Sequence, residues 1–140
     1  MPDLVRTGIS LEQDLLERFD RVIRKKGYKN RSEAIRDLVR SYAVTEDIEE
    51  DRMVLGTLTI IYDHHTPGLS DRLITAQHQV LTKVLAATHV HLDHHNCLEV
   101  IILKGRSSEV QRFGDHILSI RGVKHGKLAL TSTEKGISSK

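Results

Sequence analysis

The chain has 140 residues, of which 39% are hydrophobic, 29% charged and only 4% aromatic, with no tryptophan and a net charge of +2. That length holds one ordinary domain or two small ones around an aliphatic core, and a unit below about 70 residues usually needs assembly or a metal to be stable. No apolar run approaches the roughly 20 residues of a membrane span and the Met-Pro-Asp start lacks a signal pattern, so a cytoplasmic protein is expected; the single cysteine excludes an intramolecular disulfide.

Residues 4–10, Leu-Val-Arg-Thr-Gly-Ile-Ser, alternate weakly and predict a short strand with Val5, Thr7 and Ile9 on one side and Arg6, Gly8 and Ser10 on the other. Leu11, Leu15, Leu16, Phe19, Val22 and Ile23 then recur at helical spacing, and Gly27 can end that helix in a left-handed conformation. Asn30 and Ser32 are candidate N-caps of a second helix whose apolar stripe is Ala34, Ile35, Leu38, Val39 and Tyr42. Residues 1–43 are mildly basic, with ten Lys/Arg against seven Asp/Glu, whereas the remainder carries eleven against twelve. A strand and two helices of this size cannot bury a strand edge and two stripes alone, so a second copy must complete the core. Pairing the two strands antiparallel makes a ribbon that fits the DNA major groove, with Arg6 as base reader. The acidic run from Glu46 to Asp51 reads as a linker or helix end, and divides the chain into 1–45, a linker over 46–51, 52–131, and a polar tail over 132–140 expected to be disordered.

The second part carries the spacing His89-x-His91-x5-Cys97. Strand alternation puts both histidines on one face, and a turn through Asp93 to Asn96 returns Cys97 beside them on a paired strand. His78, on a preceding helix, is the natural fourth ligand. Three imidazoles and a thiolate suit a late first-row divalent ion: Ni(II) or Cu(II) in a square plane, zinc in a tetrahedron. His64, His65, His94, His95, His116 and His125 could contribute to extra, weaker metal sites, but solvated loop residues are the better reading.

The strand-helix-helix unit resembles the ribbon-helix-helix repressors. Gly27-Tyr28-Lys29-Asn30-Arg31-Ser32-Glu33-Ala34-Ile35-Arg36-Asp37, with His-Val-His-x5-Cys-Leu-Glu further on, resembles the nickel-responsive transcriptional regulators (NikR). The resemblance runs from Arg6 to about Leu130. It implies an α+β chain: an N-terminal ribbon-helix-helix (βαα) domain and a C-terminal ACT-type, ferredoxin-like βαββαβ domain, assembled as a homotetramer of two DNA-binding dimers. Compatible strands are read near Arg52–Tyr62, Ala87–Asp93, Cys97–Gly105 and Val123–Thr131, with helices near Leu69–Leu85 and Ser107–Ile120. In that fold Val90, Leu92, Leu98, Val100 and Ile102 suit the helix-covered face of the sheet. His89, His91 and Cys97 would then face away together with Ile101 and Leu103, forming a sheet-to-sheet interface.

The resemblance further implies that His89, His91 and Cys97 of one chain and His78 of another bind Ni(II), that Gln77, Glu99 and Tyr62 support these ligands, and that Glu33 and Asp37 form a secondary cation site that takes K+. It matches Arg6, Gly8 and Ser10 to the positions that touch DNA bases. Gly8 departs from the usual hydroxyl residue, and the loop 63–68 lacks the basic residues some members place near DNA, so no operator sequence is inherited. The expected function is a Ni(II)-dependent repressor of nickel-uptake genes on a palindromic operator, not an enzyme, with a sensor of copper or zinc on the same architecture as the alternative.

Overall fold

A computed structural model describes residues 3–80 and 83–132, which divide into two compact units at Ala43/Val44. In the first, α1 (Gln13–Lys25) is followed by a turn in which Gly27 takes φ +86° and the Tyr28 N–H donates to the Ile23 carbonyl at 3.0 Å, a left-handed helix stop. α2 (Arg31–Glu49) starts where Asn30 Oδ1 accepts the Glu33 N–H at 2.9 Å, so Asn30 rather than Ser32 is the cap. The helix continues through Glu49, so most of the acidic run is its last turn. Residues 3–12 are neither helix nor strand. A strand exists only by pairing, and among the described residues of the single chain no second strand lies beside the segment expected to be one. Val5 and Ile9 are correspondingly 83% and 66% exposed, and Leu15, Leu38, Val39 and Tyr42 are exposed along the helices.

The second unit runs β1 (Met53–Asp63), α3 (Leu69–Gln79), β2 (Val84–His91), β3 (Asn96–Arg106), α4 (Ser107–Ser119) and β4 (Val123–Ser132). This is the βαββαβ order, with an antiparallel sheet arranged β2-β3-β1-β4. α3 ends at Gln79, short of the predicted Leu85; Leu81, Thr82 and residues 133–140 of the predicted tail lie outside the described residues. Val54, Leu58, Ile60, Ile101 and Leu103 of the central strands form the core with Leu69, Leu73 and Ala76 of α3 and Val110, Phe113 and Ile117 of α4. Gly126 is required where β4 meets α4 and β1, since a Cβ there would stand 2.7 Å from the Thr59 carbonyl oxygen and 2.4 Å from Leu118. Within the second unit, which starts at Val44 and so includes the last residues of α2, buried Asp47 receives hydrogen bonds from Arg52 and Ser132 and ties that helix end to β4.

The two faces of the sheet are the reverse of the expectation. Cys97, Glu99, Ile101 and Leu103 are buried beneath the helices, whereas Val90, Leu92 and Ile102 are exposed on the open face and Leu98 and Val100 are half-buried there. The physical reason is that β3 is apolar on both faces, so its alternation separates two sets of residues without saying which set the helices cover. An uncovered apolar face remains, but it is the one opposite Cys97.

Candidate metal centre

Cys97 is the second residue of β3 and lies directly across from Tyr62 on β1 and from His91 on β2, while His89 lies across from Glu99. This register puts His89, His91, Cys97, Glu99 and Tyr62 on one face at one end of the sheet. Helices cover the central strands but not the edge strand β2, so Cys97 and Glu99 are each 2% exposed while both histidines stay open to solvent. The turn between β2 and β3 is held by Asp93, whose Oδ1 accepts the N–H groups of His95 and Asn96, both at 2.9 Å. Hydrogen bonds from Asn96 and His95 draw the Asp93 carboxyl down to about 2. Because the folded value is depressed, the stabilisation this carboxylate gives is complete above its unfolded value of 3.8 and is lost as pH falls through about 2. An NMR titration of the Asp93 carboxyl should show that depressed midpoint, and Asp93→Ala should abolish the low-pH transition of the turn.

Three donor atoms come together within 4.8 Å: those of His64, His91 and Cys97. Cys97 Sγ lies 3.2 Å from His64 Nδ1 and 3.3 Å from His91 Nδ1. With metal–sulfur and metal–nitrogen bonds of about 2.3 and 2.0–2.1 Å, sulfur and nitrogen ligands of one ion are about 3.1 Å apart at right angles and about 3.6 Å apart in a tetrahedron. The observed separations fall between these, and soft sulfur with imidazole nitrogen is the donor chemistry of a late divalent ion, so the residues fit one. Burial, followed by the neighbouring His65 and His91, pushes the His64 pKa down and favours the neutral ring a metal needs.

Of the four predicted ligands, His91 and Cys97 are in this cluster. His89 stands beside it with both nitrogens engaged: Nδ1 is 3.1 Å from the Tyr62 hydroxyl and Nε2 2.9 Å from Glu99 Oε1. A carboxylate only accepts, so Nε2 carries the proton and Nδ1 accepts from Tyr62. Burial, then the nearby Glu99 and Cys97, pushes the Tyr62 pKa up to about 12, which keeps the phenol a donor throughout the neutral range. Gln77 Nε2 donates to the same Glu99 oxygen at 3.3 Å, and Glu99 Oε2 is buried without a hydrogen-bond partner. Gln77, Glu99 and Tyr62 therefore make one network around His89. His78 is exposed on α3 and is not one of the three clustered donors. Tyr62→Phe should weaken metal binding by about 10–100-fold, the usual effect of losing an outer hydrogen bond to a metal-site histidine, readable by chelator competition. Unchanged affinity would mean that the phenol does not set the His89 ring.

Sequence reasoning did not place His64 with Cys97: it weighed this residue only for an extra, weaker metal site and preferred a solvated loop residue. His64 is 33 positions from Cys97 and enters because Tyr62 pairs with Cys97, which carries the next turn over the sulfur. The available signal was its place two residues past an apolar strand that also bears Tyr62. Elsewhere, Glu33 and Asp37 lie one turn apart on α2; the Asp37 carboxylate receives the Tyr28 hydroxyl at 2.5 Å and Arg40 at 2.8 Å. Arg6, Gly8 and Ser10 are exposed on the N-terminal segment that precedes α1.

A helix-rich first unit, a βαββαβ second unit and a cysteine–histidine cluster at the sheet end define a two-part α+β chain with a candidate late-metal centre. The comparisons with known proteins agree on both parts. Residues 55–131 match the family described as "NikR C terminal nickel binding domain", and residues 5–46 match "Ribbon-helix-helix protein, copG family". A protein of Trichlorobacter lovleyi is 54% identical over 94% of this chain and 96% of its own length, and one of Geobacter sp. strain M21 is 49% identical over 98% and 99%. A protein of Pyrococcus furiosus is 46% identical over 96% and 98%. All three carry the provisional name of nickel-responsive regulator. The chain belongs to the NikR family. Among the described residues no helix is long and apolar enough to cross a membrane.

Proposed function

We propose that the chain is a cytoplasmic, Ni(II)-responsive transcriptional regulator that represses nickel-uptake genes by binding a palindromic operator. The observation that carries this reading is the buried Cys97 sulfur with two imidazole nitrogens at 3.2 and 3.3 Å, in a chain whose first unit matches a ribbon-helix-helix family. On the DNA side, two copies pair their residues 4–10, cover Val5 and Ile9, and present Arg6, Gly8 and Ser10 to the major groove. The exposed apolar residues of the first unit support that pairing, and the open apolar sheet face supports assembly of two such dimers into a tetramer.

His89, His91 and Cys97, with His78 from another copy, are the proposed nickel ligands, and His64 is poised over the same sulfur. A bound ion would supply coordination bonds that hold donors of different chains together. Cys97 gives up its proton for this, and His89 gives up one of its two ring hydrogen bonds, with Tyr62, Glu99 and Gln77 directing the ring. Four protein donors leave no place for a reacting water, in keeping with a regulator and not an enzyme. Glu33 and Asp37 are retained as the secondary cation pair, where K+ would share Asp37 with Tyr28 and Arg40. Tetramers whose DNA-binding dimers are oriented for two half-sites are favoured when the site is filled, so nickel and operator each tighten binding of the other.

Footprinting on DNA upstream of nickel-transport genes tests the DNA half of the proposal. Protection of two symmetric half-sites is expected with nickel, and Arg6→Ala should weaken operator binding by about 1–3 kcal/mol for each base that the guanidinium reads. Protection of one unpaired site, or none, would contradict the palindromic operator.

A further inference from the structure

We propose that Asp63, His65 and His95 form a second, outer site for a late first-row divalent cation, separate from the Cys97 cluster. Their donor atoms all lie within 4.8 Å of one another, although the residues come from two turns about thirty positions apart. Asp63 is the last residue of β1 and pairs with Asn96 at the start of β3, so sheet register sets the turn after β1 beside the turn before β3. Each turn is tied by its own carboxylate. Asp63 Oδ1 accepts the His65 N–H at 2.9 Å, and Asp93 Oδ1 accepts the His95 N–H at 2.9 Å.

The ring chemistry also suits a ligand. His65 Nε2 stands 3.0 Å from the His94 carbonyl oxygen, which can only accept, so Nε2 carries the proton and the lone pair of the neutral ring is at Nδ1. A metal-binding histidine is usually oriented in this way, with its second nitrogen donating to a backbone carbonyl. His95 Nδ1 and Asp63 Oδ2 are 4.0 Å apart, too far to bond each other, yet within the reach of one ion at about 2.0–2.2 Å from each. Two imidazoles and a carboxylate, with water completing the shell, select Ni(II), Cu(II) or Zn(II) over magnesium or calcium. The site has no thiolate, and His95 is 66% exposed, so it binds more weakly than the Cys97 cluster. Its place gives it a second consequence: the rings of His64 and His65 are 4.1 Å apart, so an ion held by Asp63 and His65 steadies the turn that aims His64 at Cys97.

Calorimetric titration with Ni(II) alone, followed in parallel by absorption, tests the site on the full chain. Wild-type protein should take two ions per chain, the tighter one raising a sulfur-to-nickel charge-transfer band and the weaker one adding none. The double variant His65→Gln/His95→Gln should lose the weaker ion, with affinity at least about tenfold lower, and keep the band; His116→Gln serves as the surface-histidine control. Cys97→Ala should lose the band and retain the weaker ion. A single ion in the wild type, or a second ion unaffected by the double substitution, would overturn the outer site. A missing charge-transfer band would instead contradict the Cys97 site on which the proposed function rests, whatever the stoichiometry.

Discussion

Cys97→Ala should abolish nickel-dependent DNA binding while the chain still folds and assembles. Cys97 Sγ is the atom on which His64 and His91 converge, and with it go the only thiolate and the central member of the cluster. Loss of a direct ligand should cost more affinity than the 10–100-fold typical of outer-shell partners. The fold, by contrast, loses one buried atom at the margin of the core, a cost of about 1 kcal/mol on the scale of single-methyl truncations. Thermal unfolding and sedimentation should therefore change little, while the charge-transfer band and the nickel effect on DNA disappear. A variant that kept the nickel response would remove Cys97 from the site; one that failed to fold would make it structural.

Ile101→Ala and Ile102→Ala should behave oppositely although the residues are adjacent. Ile101 is wholly buried against the helices, so its truncation should cost about 2–5 kcal/mol and lower the unfolding temperature of the second unit. Ile102, 39% exposed in the single chain, lies on the open face with Val90 and Leu92, and its truncation should leave the unit folded but weaken association of copies. Denaturant unfolding read beside analytical ultracentrifugation separates the two effects. Equal destabilisation of the unit by both would mean that the open face is not an assembly surface.

That pair of residues also marks the limit of what the sequence could disclose. With the resemblance supplying the βαββαβ order, the strands read from the chain fall within a few residues of those observed, and alternation told odd from even positions along β3. It could not orient the faces, because Leu98, Val100 and Ile102 are as apolar as Cys97, Ile101 and Leu103. The N-terminal strand was legible only as an alternation: residues 3–12 form no strand in the single chain, and the proposed pairing would need a second copy. At the candidate centre, His91 and Cys97 were legible because six residues and a tight turn separate them. His64 was not, because its approach depends on the pairing of Tyr62 with Cys97, a long-range contact that no local spacing encodes. The resemblance carried the support roles of Gln77, Glu99 and Tyr62. Their hydrogen bonds around His89 give those roles a geometry that residue type alone does not.

The most direct test of metal-controlled DNA recognition is a fluorescence-anisotropy titration of the protein onto DNA upstream of nickel-transport genes, at fixed salt, without metal and with nickel, copper or zinc. Tight, sequence-specific binding that nickel drives and the other ions do not reproduce is the expected result. Binding indifferent to every metal would contradict a regulator controlled through Cys97, and binding driven equally by copper or zinc would contradict its assignment to nickel.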